Sequence, residues 1–392
     1  MKSSIVFKGV KSFALTTFAL ATPLLAQAYE FEVNDTTVSV YGYARLDMIY
    51  DVDAELPPAG ANAAIPLDDD PRADITGHTQ LHAKQSRIAF ATSIPTDRGE
   101  LKTVIEGDFF GGGGDREEFR LRHAYGTWNG ITAGQTTSNF GFILGMNRTI
   151  DFKRQAGLPQ SARQGQLRYT TGGFSVALED PGNLGGTVAD GFTPRGGYIS
   201  HAASKEALPD LTLRYMGKAG NLNYGVSGLV RQLEVEDGAL LDDSALGWGV
   251  NLEAEYHLTS ALTLRGSVTH GDGIGGYMEE APGAPAYVDP ATGDVEPITL
   301  TGGTAGVRVA AGPGHINLGY GYATADLDDA IDAGVANADV ANETFTDLHL
   351  NYIWSPVRNI SYGVEVSRQT REIANGDDGD AVRLQGMVMY RF

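Results

Sequence analysis

The stretch Val38-Ser39-Val40-Tyr41-Gly42-Tyr43-Ala44-Arg45-Leu46-Asp47-Met48-Ile49-Tyr50-Asp51 decides the fold. Val38, Val40, Ala44, Leu46, Met48 and Tyr50 fall on one row. Ser39, Tyr41, Arg45, Asp47 and Asp51 fall on the other, and Ile49 is the exception. Successive strand side chains point to opposite faces, so a period of two makes a ribbon with one apolar and one polar side. Leu246, Trp248, Val250, Leu252, Ala254 and Tyr256 alternate in the same way with Asn251, Glu253 and Glu255. About sixteen such segments run from residue 38 to the end, so the fold class read here is all-β.

The connections between segments say more than any one strand. Pro95–Gly99, Asn129-Gly130, Gly172-Gly173, Lys218–Gly220, Thr259–Ala261, Gly312–Gly314 and Ser355–Arg358 are tight. They alternate with longer links near 53–79, 111–117, 140–163, 181–209, 236–245, 272–299, 326–343 and 373–380. Short turns on one rim and long loops on the other is the arrangement of a transmembrane antiparallel β-barrel, with short periplasmic turns and long extracellular loops. A soluble sandwich would bury the apolar row instead, and has no reason to sort loops by parity. Tyr50, Phe109, Trp128, Tyr169, Trp354 and Phe392 near strand ends suit the aromatic girdles of a membrane barrel.

The N-terminus points to the same compartment. Lys2, Lys8 and Lys11 precede the apolar run 13–25, and Ala26-Gln27-Ala28 is a small-x-small cleavage site. Residues 1–28 therefore read as a secretory signal cut after Ala28, leaving 29–392 as one barrel domain exported to a bacterial outer membrane. No later segment holds the ~18 consecutive apolar residues of a membrane helix. A closed barrel is the other structure that satisfies every backbone polar group in lipid.

Composition excludes several functions. The chain has no cysteine, which removes disulfides, thiolate metal sites and thiol nucleophiles. Its 49 Asp+Glu against 29 Lys+Arg give a net charge of −20, unsuited to neutralising nucleic-acid phosphates. Gly271-Asp272-Gly273-Ile274-Gly275-Gly276 matches G-x-G-x-x-G, but it opens an acidic loop with no helix behind it, so nucleotide binding is set aside. The eight histidines are scattered, without metal spacing. His123, His270 and His349 could be catalytic bases of a barrel hydrolase, but no G-x-S-x-G accompanies them. No enzyme, metal or cofactor is expected.

With these residues in view the chain resembles Gram-negative outer-membrane porins, in particular the DcaP-like porins. Tyr41-Gly42-Tyr43-Ala44-Arg45 is similar to the opening porin strand, and Gln85-Ser86-Arg87-Ile88-Ala89-Phe90 to the second. Residues 133–140 are similar to the fifth strand entering the constriction loop. Arg163-Gln164-Gly165-Gln166-Leu167-Arg168-Tyr169 is similar to the stretch that follows that loop, and Tyr352-Ile353-Trp354-Ser355-Pro356 to a late strand. The terminal strand ending on Phe392 resembles the signal read by the barrel assembly machinery. The resemblance implies a homotrimer of sixteen-stranded barrels passing small, often dicarboxylic, solutes. Members can carry an N-terminal coiled coil; only Tyr29–Thr37 precedes the first strand here, so its function is expected to be absent.

Barrels of this size leave a wet lumen whose lining sets selectivity. The polar rows give Arg45, Arg87, Arg120, Arg122, Arg168, Arg214, Arg231, Arg265, Arg308 and Arg383, opposed by Asp47, Glu106, Asp108, Glu253, Glu255, Asp347 and Glu365. The link 139–164 takes the place of the inward-folding constriction loop, and adds Arg148, Lys153, Arg154 and Arg163 against Asp151 alone. Links 272–299 and 326–343 hold no Lys or Arg and read as a solvated acidic exterior. A ring of planar, permanently charged guanidinium groups would draw small carboxylates through by passive diffusion. The competing reading is that these arginines pair with wall carboxylates. Asp68-Asp69-Asp70 and Asp377-Asp378-Gly379-Asp380 are candidates for divalent-cation bridging to lipopolysaccharide. The alternative function is a non-conducting structural or adhesive barrel acting through its acidic loops; an energised transporter would need a plug domain for which there is no room.

Overall fold

The computed structural model describes residues 28–112, 116–141, 143–160, 162–194 and 196–392. The expected signal, apart from Ala28, lies outside them.

Sixteen antiparallel strands close on themselves. They are β1 (Thr36–Asp51), β2 in two pieces (His78–His82 and Arg87–Thr96), β3 (Gly99–Gly111), β4 (Glu118–Trp128), β5 (Ile131–Thr137) and β6 (Arg163–Thr171). Then come β7 (Phe174–Glu179), β8 (Asp210–Ala219), β9 (Leu222–Glu236), β10 (Asp242–His257) and β11 (Leu262–Asp272). The last five are β12 (Thr299–Ala311), β13 (Gly314–Ala325), β14 (Asn342–Val357), β15 (Ile360–Ile373) and β16 (Asp378–Arg391). Each pairs with its sequence neighbour, and β16 returns to β1 in the register Tyr43↔Arg391 to Asp51↔Arg383. No wall edge is left unpaired toward lipid, where an unmade backbone hydrogen bond would cost several kcal/mol.

The faces are inverted relative to a soluble protein. On β10, Leu252 is 58% exposed while its neighbours Asn251 and Glu253 are 0% and 3% exposed. Leu350, Val364 and Leu384 are exposed, while Asp347, Ser367 and Gln385 are buried. The apolar row faces outward because hydrocarbon is its favourable solvent, and the polar row turns to the interior.

Turn chemistry fixes the short rim. Asn129 and Gly130 both have positive φ, 49° and 83°, the two-residue geometry whose twist matches a hairpin. A short lead strand, Tyr29–Val33, folds back on Val40–Thr36, so it continues the wall beyond the end of β16, where Phe392 and Gly42 exchange backbone hydrogen bonds of 3.1 Å. The two pieces of β2 flank a break at 83–86, where Ser86 Oγ accepts the Arg45 N–H at 3.0 Å.

The long links, named L1 to L8 in order, differ from the expected solvated exterior. L4 and L6 contribute a four-stranded sheet (Ala189–Phe192, Tyr198–Ser200, Ala286–Val288 and Val295–Pro297). Phe192 of L4, Ile274, Tyr277 and Tyr287 of L6, and Leu327, Ala330, Val335 and Ala338 of L7 form one buried apolar cluster with Phe140. In L7 the carboxylates Asp326, Asp328, Asp329, Asp332 and Asp339 stay exposed between these buried positions. In L7 the acidic composition thus marks the outer face of a packed cap.

Candidate functional site: the barrel interior

L3, residues 138–162, lies against the inner wall and is held there mainly through its backbone. Glu179 of β7 accepts the Asn139 N–H at 2.7 Å, and Glu253 of β10 accepts that of Gly145 at 2.7 Å. Glu365 of β15 takes the N–H groups of Ile150 and Asp151 at 2.8 and 2.9 Å, and Asp347 of β14 that of Ala156 at 2.6 Å. Asp347 also binds Lys153. Of the seven wall carboxylates expected to oppose arginines, Glu253, Asp347 and Glu365 therefore spend accepting capacity on the loop. Such bonds to a charged acceptor are among the stronger hydrogen bonds.

Glycines make the close approach possible. A Cβ on Gly306 would lie 1.9 Å from Asn147 Oδ1, one on Gly319 2.7 Å from Asn147 Cβ, and one on Gly321 2.6 Å from the Ala156 carbonyl oxygen. On β13, Gly319-Tyr320-Gly321-Tyr322 sends tyrosine outward and leaves the inner face bare for L3.

L6 reaches the same place from above. Its short turn Gly275–Tyr277 is followed by backbone pairing with L3: Gln160 N–H to the Tyr277 oxygen at 2.8 Å and Glu279 N–H to the Leu158 oxygen at 2.8 Å. Arg154 of L3 pairs with Glu279 of L6. The glycine motif that mimics a nucleotide loop lets L6 pass close to L4, since a Cβ on Gly276 would meet the Leu184 carbonyl oxygen at 2.1 Å. Tyr277 Oη donates to Asp210 at 2.8 Å and accepts from Gln164 at 2.9 Å. Glu280, at φ 51°, accepts the Asn62 N–H of L1 at 3.0 Å. Burial, then the neighbouring Asp347, pushes its carboxyl up to about 7 against the pull of Lys153.

Of the thirteen expected lining arginines, eight have carboxylate partners, Arg231 with Asp210 among them. Arg45 pairs with Asp47, Arg87 with Glu106, Arg120 with Asp108, Arg122 with both Glu106 and Asp108, Arg154 with Glu279 and Arg265 with Glu255. Arg383 is buried, with Nε 2.6 Å from Asp51 Oδ1 and Nη1 3.0 Å from Asp151 Oδ2. Arg45 also donates to the Ile150 carbonyl and Arg265 to that of Met146, so both brace L3. Arg148, Arg163, Arg168 and Arg308 have no carboxylate within ion-pair distance among the described residues. Glu179 acts on Arg168 and Glu255 on Arg308 only through space. Arg163 opens β6, and the charges acting on it are those of Arg122, Arg154, Arg120 and Arg87. Phe152 of L3 stacks on Phe110 with ring centroids 4.3 Å apart, and Arg120 lies over both rings at 5.6 and 5.7 Å.

A protein-family model for the DcaP outer membrane protein matches residues 27–281. The chain belongs to the DcaP outer membrane protein family. The crystal structure of the outer membrane channel DcaP of Acinetobacter baumannii is 25% identical, covers 92% of this chain and 99% of its own, and superposes with a TM-score of 0.77. OmpT of Vibrio cholerae (12% identity, 93% and 100% coverage, TM-score 0.55) and an anion-selective porin from Comamonas acidovorans (13%, 91% and 100%, 0.53) agree in fold. No curated protein matches the sequence. As a member of the DcaP family the chain is an outer-membrane channel protein and not an enzyme.

Beyond the expected positions, this DcaP-family barrel places Arg391 on the inward row of β16, donating to Ser361 Oγ at 2.8 Å. Its parity with Arg383 and Gln385 was a usable signal in the sequence. The L6 segment that meets L3 had no such signal, because pairing between two loops follows no period. Of the two divalent-cation candidates, Asp70 pairs with Arg72 and Asp380 with Arg368, and no cluster of three or more metal-ligating groups occurs among the described residues.

Proposed function

We propose that the protein is a passive channel for small anionic solutes, carboxylates and dicarboxylates above all, with L3 as its constriction loop. The observation that supports this is the set of guanidinium groups without carboxylate partners among the described residues: Arg148, Arg163, Arg168 and Arg308. A paired arginine has part of its field offset by its carboxylate. An unpaired one in a confined, partly desolvated lumen keeps its field for a passing anion. The mature chain is exported through its cleaved signal, assembled through the strand ending in Phe392, and works as a homotrimer contacting lipopolysaccharide.

Reversal potential in a salt gradient across a planar bilayer tests the reading. Anion selectivity is expected; cation preference overturns it. Liposome swelling with a dicarboxylate should outpace swelling with a neutral sugar of matched size. The apolar cluster joining L4, L6 and L7 favours a second reading, a non-conducting barrel acting through its outer loops. Absence of any channel opening in the same bilayers selects that one.

A further inference from the structure

A separate concentration of positive charge sits toward the short-turn end of the wall. Along the inward row of β12, Thr304, Gly306 and Arg308 follow one another, and Arg308 is three residues from the strand's last residue, Ala311. Gly306 stands opposite Arg265 of β11, and Arg308 opposite Asn317 of β13. Arg265 and Arg308 are therefore diagonal neighbours on adjacent strands, a spacing that long side chains bridge.

L3 delivers a third guanidinium to the same patch. Asn147 sits over Gly306 and Gly319, Arg265 Nη1 holds the Met146 carbonyl at 3.0 Å, and Asn351 Nδ2 holds that of Arg148 at 2.7 Å. The backbone of 146–148 is thus pinned while the Arg148 side chain stays accessible. Arg391 of β16 is the fourth. Withdrawal from bulk water into the lumen, and then the charges of Arg308, Arg265 and Arg391, pull the Arg148 guanidinium down to about 10, still ionised at neutral pH. Glu255 is the one carboxylate in ion-pair contact with any of the four among the described residues. Nε of Arg265 and of Arg308 is buried with no hydrogen-bond partner.

Holding four like charges together in reduced dielectric is costly unless something negative joins them. Resting on the anion-channel reading, we propose that Arg148, Arg265, Arg308 and Arg391 form a binding station for multivalent oxyanions on the short-turn side of L3. The station is separate from the group Arg87, Arg120, Arg122 and Arg163. A monovalent carboxylate engages one fork. A phosphate or polycarboxylate with two anionic groups engages Arg148 from the loop and Arg308 from the wall together, which is why the ligand class is multivalent.

Single-channel recording with inorganic pyrophosphate as the probe tests this. Pyrophosphate at millimolar concentration should interrupt the current, and the half-blocking concentration should rise about tenfold in Arg148→Gln and in Arg308→Gln. Arg72→Gln, on L1 and outside the station, should block as the parent does. Should Arg308→Gln fail to fold, Arg308→Lys keeps the charge without the planar fork and should weaken block about threefold. Equal block in the parent and in both station variants overturns the station, as does an anion-selective parent that pyrophosphate never blocks; in both cases the channel reading survives. A cation-selective parent without block overturns both.

Discussion

Arg383 and Arg308 are the same residue type on inward rows of the same barrel, and they do opposite things. Arg383 is buried and bidentate on Asp51, reaching Asp151 with a third nitrogen and the Pro57 carbonyl with a fourth contact at 2.9 Å. It ties the wall at β1 and β16 to L1 and L3. Among the described residues Arg308 touches no carboxylate, and its Nε makes no hydrogen bond. The difference teaches that sequence parity selects which side chains turn inward, while partners decide whether each becomes a brace or a field source. Removing a brace should cost stability and leave selectivity. Removing a field source should do the reverse.

The largest effect is expected where a brace is cut. Arg383→Ala leaves Asp51 and Asp151 buried beside one another without their cation, a change that costs about 3–5 kcal/mol in comparable buried pairs. The measurement is the temperature at which the folded barrel loses its heat-resistant mobility in detergent. A drop of several degrees with an unchanged reversal potential is the expected pattern. An unchanged transition temperature would mean that L3 is held by its backbone bonds to Glu365 and Asp347 alone.

Glu280 sharpens the comparison from the acidic side, as a carboxyl deep in the L1–L3–L6 junction whose cationic neighbour Lys153 is already bound to Asp347. Its pKa is raised to about 7 by burial, with Glu279 and Asp347 adding to the rise. A raised carboxyl favours the docked loop when protonated. Docking is therefore strongest below the ordinary glutamate range and weakens as pH climbs through about 7, by at most about 3 kcal/mol. Corrected for the intrinsic base-catalysed rate, protection of the L6 amides around Tyr277 should fall between pH 4.5 and about 7 in the parent. Glu280→Gln should flatten that dependence; a profile identical in both would place the titration elsewhere.

The sequence carried the wall well and the interior unevenly. Alternation such as Leu246 to Tyr256 and the parity of loop lengths gave sixteen strands, because lipid imposes one strict rule on every strand. The break in β2 escaped, although the outward row changes parity across residues 83–86, from Leu81 before it to Phe90 after it. Inward arginines were legible by parity; their partners were not, because Arg383–Asp51 joins residues 332 apart in sequence. Glycines at 302, 306, 319 and 321 were in plain view as bare inward positions. Their meaning, a loop packed directly on the wall, appears only once L3 is in place. The acidic loops misled because composition counts carboxylates and ignores which face of a packed element carries them.

The smallest stability effect, and the sharpest break with Arg383, belongs to the unpaired group. Arg168 on β6 makes no ion pair among the described residues, and its Nε is buried without a hydrogen bond. Arg168→Gln therefore strands no carboxylate: Glu179, the acid that acts on it through space, keeps its bonds to Asn139, Thr212 and Gln164. The folded barrel should change by less than about 0.5 kcal/mol, within the range of substitutions that break no feature. Its reversal potential should nevertheless move toward cations, since a full positive charge leaves a lumen where low dielectric magnifies it. Arg163→Gln should behave likewise, and the two shifts should add if the residues are too far apart to share a partner. Loss of stability equal to that of Arg383→Ala would show that the unpaired arginines are braces too, and the distinction between the two groups would fall.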